Sequence, residues 1–189
     1  MTTFVAIDFE TADRGRDSAC AIGIIRVENY QIIQCRHFLI RPPRRRFEFS
    51  SIHGITWDDV AQKPTFGDLW PHINLLIQDA SFIAAHNASF DKGVLYACCD
   101  AYEITKPQQN FICTVQLARR TWNIRPTKLP NVCQHLEIQL EHHQALSDAE
   151  ACARIVIAAH SLQRCQGTEP PSNTLAVQVS LKHKPKPEM

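Results

Sequence analysis

The sequence carries almost no net charge, so bulk charge gives no guide to its partners. Lys and Arg together number 20 against 19 Asp and Glu, for a formal net charge of +1 at pH 7. Any surface for a charged partner must therefore come from local clustering of basic residues. Two such clusters are present, and each alone is typical of a solvated loop or helix end. One comprises Arg41, Arg44, Arg45 and Arg46, and the other comprises Arg119, Arg120, Arg125 and Lys128.

Long apolar runs, a targeting segment and paired cysteines are also missing. No apolar stretch approaches the roughly 20 residues that a membrane-spanning helix needs. The N-terminus has no basic segment followed by an apolar one, so we expect no signal peptide. None of the eight cysteines forms a C-x-x-C pair, which argues against a zinc knuckle and favours free, buried cysteines. These absences predict a cytoplasmic protein without membrane attachment, because thiols stay reduced in that compartment.

The apolar content that is present suffices for one domain. The 189 residues are 44% hydrophobic and 21% charged, which is ordinary for a globular domain with a substantial core. We assign residues 1–165 to this domain. Residues 166–189 contain paired prolines and a Lys-Pro-rich end, so we expect them to form a disordered tail.

The hydrophobic pattern predicts three strands, followed by alternating helices and strands. Apolar runs at 3–10, 19–27 and 31–41 are typical of strands joined by short polar turns. This order predicts an α/β protein whose mixed sheet combines a three-stranded antiparallel meander with parallel strands, flanked by helices. Further strands are expected at 81–85 and 111–113, and helices at 57–61, after Pro64, and at 89–102, 115–122, 129–136 and 148–163.

Capping residues predict where several helices begin. Thr56 and Thr114 are expected as N-caps. Ser147 opens an S-x-x-E capping box, so the last helix is expected to start directly after it. Pro71 would interrupt a helix that began at Thr65, which predicts either a late start or a kink in that helix.

Four acidic residues stand where such a fold could bring them together. Asp8 and Glu10 end an apolar strand and point to one face, because side chains alternate along a strand. Asp91 and Asp148 each lie in the first turn of a predicted helix, where backbone N–H groups and the helix dipole stabilise a carboxylate. Four clustered carboxylates repel one another unless cations lie between them, and Mg²⁺ or Mn²⁺ suits oxygen ligands. The pattern predicts two divalent ions acting on a phosphoryl group, although a strand ending in solvated acids is the common alternative for the first pair alone.

A histidine near the last acid could serve as a base. His143 precedes Asp148 by five residues, which would place the two side chains on different faces of one helix. With Ser147 as the cap, His143 instead lies in the preceding loop and can fold back beside Asp148. An imidazole with a pKa of about 6.5 can take a proton from water near neutral pH. Local chemistry leaves His142 as an equal candidate, and either histidine could be a surface residue.

Three short segments together resemble the motifs of a known enzyme family. Residues 8–11, 86–91 and 143–149 resemble, in order, the three exonuclease motifs of the DEDD superfamily. The histidine of the third segment is similar to the DEDDh branch, which includes the proofreading subunit of bacterial DNA polymerase III and ribonuclease T. Gln144 stands where the other branch has tyrosine. Residues 52–56 also resemble a segment of polymerase-associated members. The resemblance implies a ribonuclease H-like fold.

The resemblance also implies an activity and a role for each residue. The activity would be metal-dependent 3′–5′ exonuclease cleavage that releases nucleoside 5′-monophosphates from a nucleic-acid 3′ end. Asp8 would be shared by two Mg²⁺ or Mn²⁺ ions. Glu10 and Asp148 would ligate the ion on the nucleophile's side, and Asp91 would serve the second ion. The third motif places the general base at His143.

Contacts with the substrate are predicted within the first motif and in the arginine-rich loop. Thr11 and Phe9 are implied as contacts of the terminal nucleotide, although Phe9 is equally suited to the core. Arg44, Arg45 and Arg46 precede two phenylalanines, and basic residues interleaved with aromatic rings suit a single strand of nucleic acid. Pinning of this loop to the core by the phenylalanines is the alternative.

Several partners and functions stay open at this stage. Similarity to polymerase-associated members favours single-stranded DNA, with an exoribonuclease of the same family as the alternative. A non-catalytic nucleic-acid-binding domain and a structural metal-binding protein are weaker hypotheses. Residues 178–181 resemble the start of a peptide that binds the bacterial sliding clamp, but Lys182 stands where an aromatic residue is expected. Some members of the branch are dimers, and the sequence leaves a homodimer open.

Overall fold

A five-stranded mixed sheet with helices on both faces forms the core of the protein. The structure is a computed structural model that describes residues 2–166. The strands are β1 (Thr3–Thr11), β2 (Ala19–Glu28), β3 (Gln31–Leu39), β4 (Phe82–Ala85) and β5 (Asn110–Cys113). The helices are α1 (Ser50–His53), α2 (Trp57–Val60), α3 (Phe66–Ile77), α4 (Ser89–Ala101), α5 (Thr114–Trp122), α6 (Leu129–His135) and α7 (Ala145–Gln166).

The strand order is β3-β2-β1-β4-β5, with β1 in the centre. Strands β1, β2 and β3 pair antiparallel, whereas β1, β4 and β5 run parallel. This confirms the predicted mixed sheet. All but the first residue of the predicted tail, and with them the predicted clamp-binding segment, lie outside the described residues.

Strand β1 is apolar on both faces because helices cover both. Val5 and Ile7 pack into the core under α3 and α4, whereas Ala6 packs against α7. Asp8 and Glu10 continue the alternation of Ala6. They therefore lie on the α7 face, at the end of the central strand.

A glycine in β2 lets α7 approach the sheet beside these acids. Gly23 pairs with Asp8 across the β1–β2 ladder. A Cβ atom at Gly23 would lie 2.1 Å from the carbonyl oxygen of Ala145, the first residue of α7. Because no side chain intervenes, the first turn of α7 lies directly on the sheet, and this turn carries Asp148.

Two predicted helix starts in the first half of the chain have different outcomes. Thr56 is the N-cap of α2, as predicted. Helix α3 begins directly after Thr65, so the predicted late start is wrong, and Pro71 lies inside the helix. The backbone N–H of Asp68 donates to the Thr65 hydroxyl at 3.3 Å, and the Asp68 carboxylate accepts from the Thr65 N–H at 2.9 Å. This reciprocal cap stabilises the early start although Pro71 removes one helical hydrogen bond. The short helix α1 was not predicted.

Helix α5 begins at the residue predicted to cap it, and helix α7 begins before its predicted cap. Thr114 is the first residue of α5 rather than its N-cap, and its hydroxyl lies 2.9 Å from Nδ1 of His86. Helix α7 begins at Ala145, so Ser147 is not its cap. The Ser147 hydroxyl instead accepts a hydrogen bond from the backbone N–H of Glu141 at 2.8 Å. In both places a partner outside the helix uses the hydroxyl that the sequence assigns to capping: His86, from a distant segment, for Thr114, and the preceding loop for Ser147.

The cysteines match the prediction that most are buried. Of the seven cysteines whose side chains are described, all are free and five are buried. Within residues 2–166, no helix combines the length and the apolar character needed to cross a membrane.

Candidate active site

Three elements bring together Asp8, Glu10, Asp91 and Asp148, which we call the acid cluster. The end of β1 supplies the first two, and the first turns of α4 and α7 supply the others. Burial raises the pKa of Asp8 well above its usual value, and repulsion from the other three carboxylates raises it further. Burial, followed by repulsion from Asp148 and Asp91, raises the pKa of Glu10 from 4.5 to about 8. The predicted convergence of these four residues is therefore present.

Asp91 is the most deeply buried member of the cluster, with 1% of its surface exposed. Its Oδ1 accepts a hydrogen bond of 3.1 Å from the backbone N–H of Phe9. Burial raises its pKa from 3.8 to about 7, although this hydrogen bond opposes the rise. A backbone contact thus ties the start of α4 to the strand that carries Asp8.

Asp148 has one satisfied and one unsatisfied carboxylate oxygen. Its Oδ2 accepts from Nδ1 of His142 at 2.9 Å and from the backbone N–H of His143 at 3.2 Å. Its Oδ1 is buried and has no hydrogen-bond partner among the described residues. A buried oxygen left unpaired is costly, and this one belongs to a cluster of mutually repelling carboxylates. This donor set fits a hard divalent cation, which would supply the missing charge and partner.

The two histidines before α7 contact Asp148 in different ways. His143 lies in the loop, as predicted, with a left-handed φ of 67°. Only its backbone hydrogen-bonds Asp148, whereas the ring of His142 does so directly. The two imidazoles stack with their centroids 3.8 Å apart. One potential ligand atom from each of the two histidines and Asp148 lies within 4.8 Å of the others. His143 as general base stays a prediction, and the direct ring contact of His142 was not foreseen.

The two residues of the first motif that are predicted to contact substrate lie in different environments, one in the core and the other at the end of β1. Phe9 is 3% exposed and packs in the core under α3 and α4, which agrees with the alternative of a core residue, and its contact with a nucleotide stays a prediction. Thr11 lies at the end of β1, and its carbonyl is 3.2 Å from Nε2 of His53. Because Nδ1 of His53 accepts from the backbone N–H of Ile55 at 3.1 Å, Nε2 carries the proton and donates. This hydrogen bond holds residues 52–56 against the end of β1, next to Glu10.

The arginine-rich loop is largely occupied by intramolecular contacts. Arg44 donates to Asp13 and Asp17, with shortest distances of 3.0 and 2.7 Å; we call these three residues the Arg44 clamp. Arg46 forms an ion pair with a glutamate two residues later. The guanidinium of Arg45 lies 5.1 Å from the centroid of a tryptophan ring. The predicted contact of this loop with nucleic acid stays untested, but the charge of Arg44 already has two partners.

His86, the first residue of the second motif, joins three segments of the chain by hydrogen bonds. Its Nε2 donates to the carbonyl oxygen of Thr127 at 3.1 Å, and its Nδ1 accepts from the Thr114 hydroxyl at 2.9 Å. One side chain thus joins the end of β4, the start of α5 and the loop before α6. Burial is the main cause that lowers the pKa of His86.

Sequence reasoning missed Gly23 as part of the site, and it missed the ring contact of His142 with Asp148. An isolated glycine inside an apolar strand is a signal of close backbone approach, and it could have marked Gly23. Nothing in the local sequence separates the ring orientations of two adjacent histidines.

Comparisons with known proteins identify the family of the chain. A family model described as "Exonuclease" matches residues 5–156. The chain belongs to the exonuclease family. It is 32% identical over 159 residues to the DNA polymerase III PolC-type of Thermotoga maritima, covering 82% of this chain but 12% of that protein. It is 32% identical over 143 residues to Exodeoxyribonuclease 10 of Escherichia coli K12, covering 72% of this chain and 59% of that protein. The chain thus spans less than two thirds of either relative.

Solved structures of exonucleases share this fold. Exonuclease X in complex with 5′ overhanging duplex DNA is 27% identical, with a TM-score of 0.70 over 85% of this chain and 93% of that one. Exonuclease I is 17% identical, with a TM-score of 0.72 over 85% of this chain and 41% of that one. The second likeness concerns the fold alone.

Proposed function

We propose that the protein is a divalent-metal-dependent 3′–5′ exonuclease that releases nucleoside 5′-monophosphates, with DNA favoured over RNA. The observation that carries the proposal is the unpaired, buried Oδ1 of Asp148 within a cluster of four carboxylates. Such a cluster is stable only with bound cations or bound protons. The relatives named for DNA polymerase and exodeoxyribonuclease activity, and the solved complex with DNA, support DNA as the substrate.

Each acid has an assigned part in holding the metal ions. When bound, two Mg²⁺ or Mn²⁺ ions would lower the pKa of the attacking water and stabilise charge on the leaving oxygen. We assign Asp8 as the shared ligand, because all three other carboxylates repel it. Glu10 and Asp148 would hold the ion on the nucleophile's side. Asp91, fixed by the Phe9 N–H, would hold the other.

The histidine loop would handle the proton of the attacking water. We assign His143 as the general base, because its loop position leaves the imidazole free of hydrogen bonds to the protein among the described residues. His142 holds Oδ2 of Asp148. This contact leaves Oδ1 as the oxygen of Asp148 that is available to a metal ion.

Partners beyond the nucleic acid remain predictions. The sliding-clamp contact would involve residues outside the described part of the chain. The homodimer is a separate proposal that the size of the protein in solution tests.

A degradation panel tests the proposed function. Single-stranded and duplex DNA and RNA, labelled at the 5′ end, are incubated with Mg²⁺ or Mn²⁺. We expect ladders shortened stepwise from the 3′ end, with single-stranded DNA degraded fastest. Asp8→Asn should slow release by more than about 100-fold, since even outer contacts of a metal site cost 10- to 100-fold. Asp58→Asn, an exposed acid at the start of α2, is the control and should act like the wild type. Intact substrates in every lane would refute the proposal.

A further inference from the structure

A cavity lies on the same edge of the sheet as the acid cluster, beside the ends of β4 and β5. Ala6 of β1 pairs with Ala84 of β4, and Ala85 pairs with Cys113 of β5. This parallel register places the residues that follow β4 and β5 level with Asp8. Neighbouring strands lie about 4.8 Å apart, so the end of β5 is roughly 10 Å from the end of β1. That distance suits a strand whose 3′ end lies at the acid cluster.

The cavity is basic and has no acidic lining. Its volume is about 540 Å³, within the range of small-molecule sites. Arg119, Arg125, Lys128, His86 and Asn87 line it, with no Asp or Glu among the lining residues; we call it the basic cavity. The basic side chains form no ion pair with any described acid. Their charge is therefore available to an anion.

The wall of the basic cavity is fixed by hydrogen bonds around one threonine. The Thr127 carbonyl accepts from His86 at 3.1 Å, and its hydroxyl donates to the Ile124 carbonyl at 3.0 Å. That hydroxyl also accepts from Nε of Arg119 at 3.0 Å. Because Thr127 is only 7% exposed, these bonds are shielded from water. They hold Arg125 and Lys128 on either side of Thr127 without using their charges.

The basic cavity also adjoins a segment that presents one member of the acid cluster. His86 and Asn87 line the cavity, and they lie just before α4, whose first turn carries Asp91. The cavity therefore lies beside an element that holds the acid cluster. By contrast, the cavity at the Arg44 clamp is lined by three arginines and three acids, so its charge is balanced internally.

We propose that the basic cavity binds a backbone phosphate of the substrate strand, upstream of the terminal nucleotide. This inference rests on the proposed function and extends it by adding Arg125 and Lys128 as positioning residues. The cavity neutralises a phosphodiester and keeps the strand directed across the ends of β4 and β5. Sequence is not read there, because contacts to phosphate carry no base information.

Binding without metal tests the proposal independently of catalysis. A fluorescent single-stranded 12-mer of DNA is titrated in EDTA at several salt concentrations. The double variant Arg125→Gln/Lys128→Gln should bind roughly tenfold more weakly. Its plot of log affinity against log salt should be less steep, by about 0.7 for each phosphate that is no longer neutralised. The matched control is Arg36→Gln/Arg120→Gln, which removes two exposed charges that do not line the basic cavity. Equal weakening in both doubles would overturn the proposal.

Substrate length separates this proposal from the proposed function. The nitrophenyl ester of a nucleoside 5′-monophosphate has no upstream backbone, so the double variant should hydrolyse it at the wild-type rate. On the 12-mer the variant should show a raised KM and an unchanged kcat. A variant with wild-type KM on the 12-mer would overturn the basic cavity alone. Failure of the wild type on both substrates would instead refute the exonuclease proposal. If the double variant binds free nucleoside monophosphate more weakly but binds the 12-mer unchanged, the basic cavity binds a single nucleotide. That result would overturn the proposed contact with the substrate strand.

Discussion

The Arg44 clamp and the acid cluster gather the same kind of residue and reach opposite electrostatic states. Within the clamp, hydrogen bonds from Arg44 lower the pKa values of Asp13 and Asp17. Within the cluster, burial and mutual repulsion raise the pKa values of Asp8 and Glu10. The difference is whether the chain itself supplies the cation.

This difference separates the structural role of the Arg44 clamp from the catalytic role that we propose for the acid cluster. Arg44 fastens the loop that follows β3 to the turn between β1 and β2, and it gives both carboxylates of that turn a cationic partner. The acid cluster has no side-chain cation of its own, and Oδ1 of Asp148 has no partner among residues 2–166. Its counter-charge must come from solution, which is the requirement for an exchangeable metal site.

We expect the largest effect from a variant that displaces Asp148 without removing any carboxylate of the acid cluster. Gly23→Ala would place a Cβ atom 2.1 Å from the Ala145 carbonyl, so the start of α7 must shift and carry Asp148 with it. We expect exonuclease activity to fall by roughly 100-fold, since small misplacements of catalytic groups are that costly. The measurement is the rate of mononucleotide release, alongside a melting curve. Ala21→Gly, in the same strand, is the control for a changed β2 residue. Wild-type activity in Gly23→Ala would show that this close approach does not position Asp148.

Neutralising one aspartate should change the free energy of unfolding in opposite directions in the acid cluster and in the Arg44 clamp. In EDTA at about pH 8, Asp8→Asn removes a repelled, buried charge and should raise the free energy of unfolding by about 1–3 kcal/mol. Asp13→Asn removes a hydrogen-bonded partner of Arg44 and should lower it by a similar amount. Urea unfolding measures both. The same sign in both variants would remove the electrostatic distinction between the clamp and the cluster.

The pH dependence of the metal-free protein should follow the raised pKa values. The pKa of Glu10 rises from 4.5 to about 8, and that of Asp91 from 3.8 to about 7. A raised folded-state pKa gives stability that is complete below the unfolded value and is lost as pH rises through the folded value. The free energy of unfolding should therefore fall between about pH 5 and pH 8, by at most about 1.4 kcal/mol per pH unit for each group.

The Arg44 clamp and added Mn²⁺ provide the controls for this dependence of the free energy of unfolding on pH. The pKa of Asp13 is lowered from 3.8, so its stability is present above that value and is lost only in acid. The clamp therefore adds no slope near neutral pH. Saturating Mn²⁺ should flatten the slope of the wild type, because the metal replaces protons on the acid cluster. A metal-free protein whose stability is constant from about pH 5 to pH 8 would contradict the raised pKa values.

The sequence predicted the elements whose signals are local. Alternation in β1 placed Asp8 and Glu10 on one face, and the helix starts at α4 and α7 placed Asp91 and Asp148 in first turns. The loop position of His143 was also predicted. That prediction relied on Ser147 as the cap of α7, and Ser147 is not the cap because the helix begins at Ala145.

What the sequence did not predict depends on contacts between distant segments. The hydroxyls of Thr114 and Ser147 bind partners outside their own helices, so capping rules placed two helix starts incorrectly. Arg44 finds Asp13 and Asp17 about 30 residues away in the chain. Similarly, the segment that approaches Gly23, the start of α7, is identified only when α7 is packed on the sheet. Each of these contacts is decided by tertiary packing, which overrides local preference.

The most direct test of the central claim is the number of Mn²⁺ ions bound per chain, measured by equilibrium dialysis of the wild type and Asp8→Asn. The acid cluster should bind two ions in the wild type. Because Asp8 is the proposed shared ligand, Asp8→Asn should lose both together, whereas Asp13→Asn should keep both. A wild-type protein that binds no more Mn²⁺ than Asp8→Asn would contradict the account.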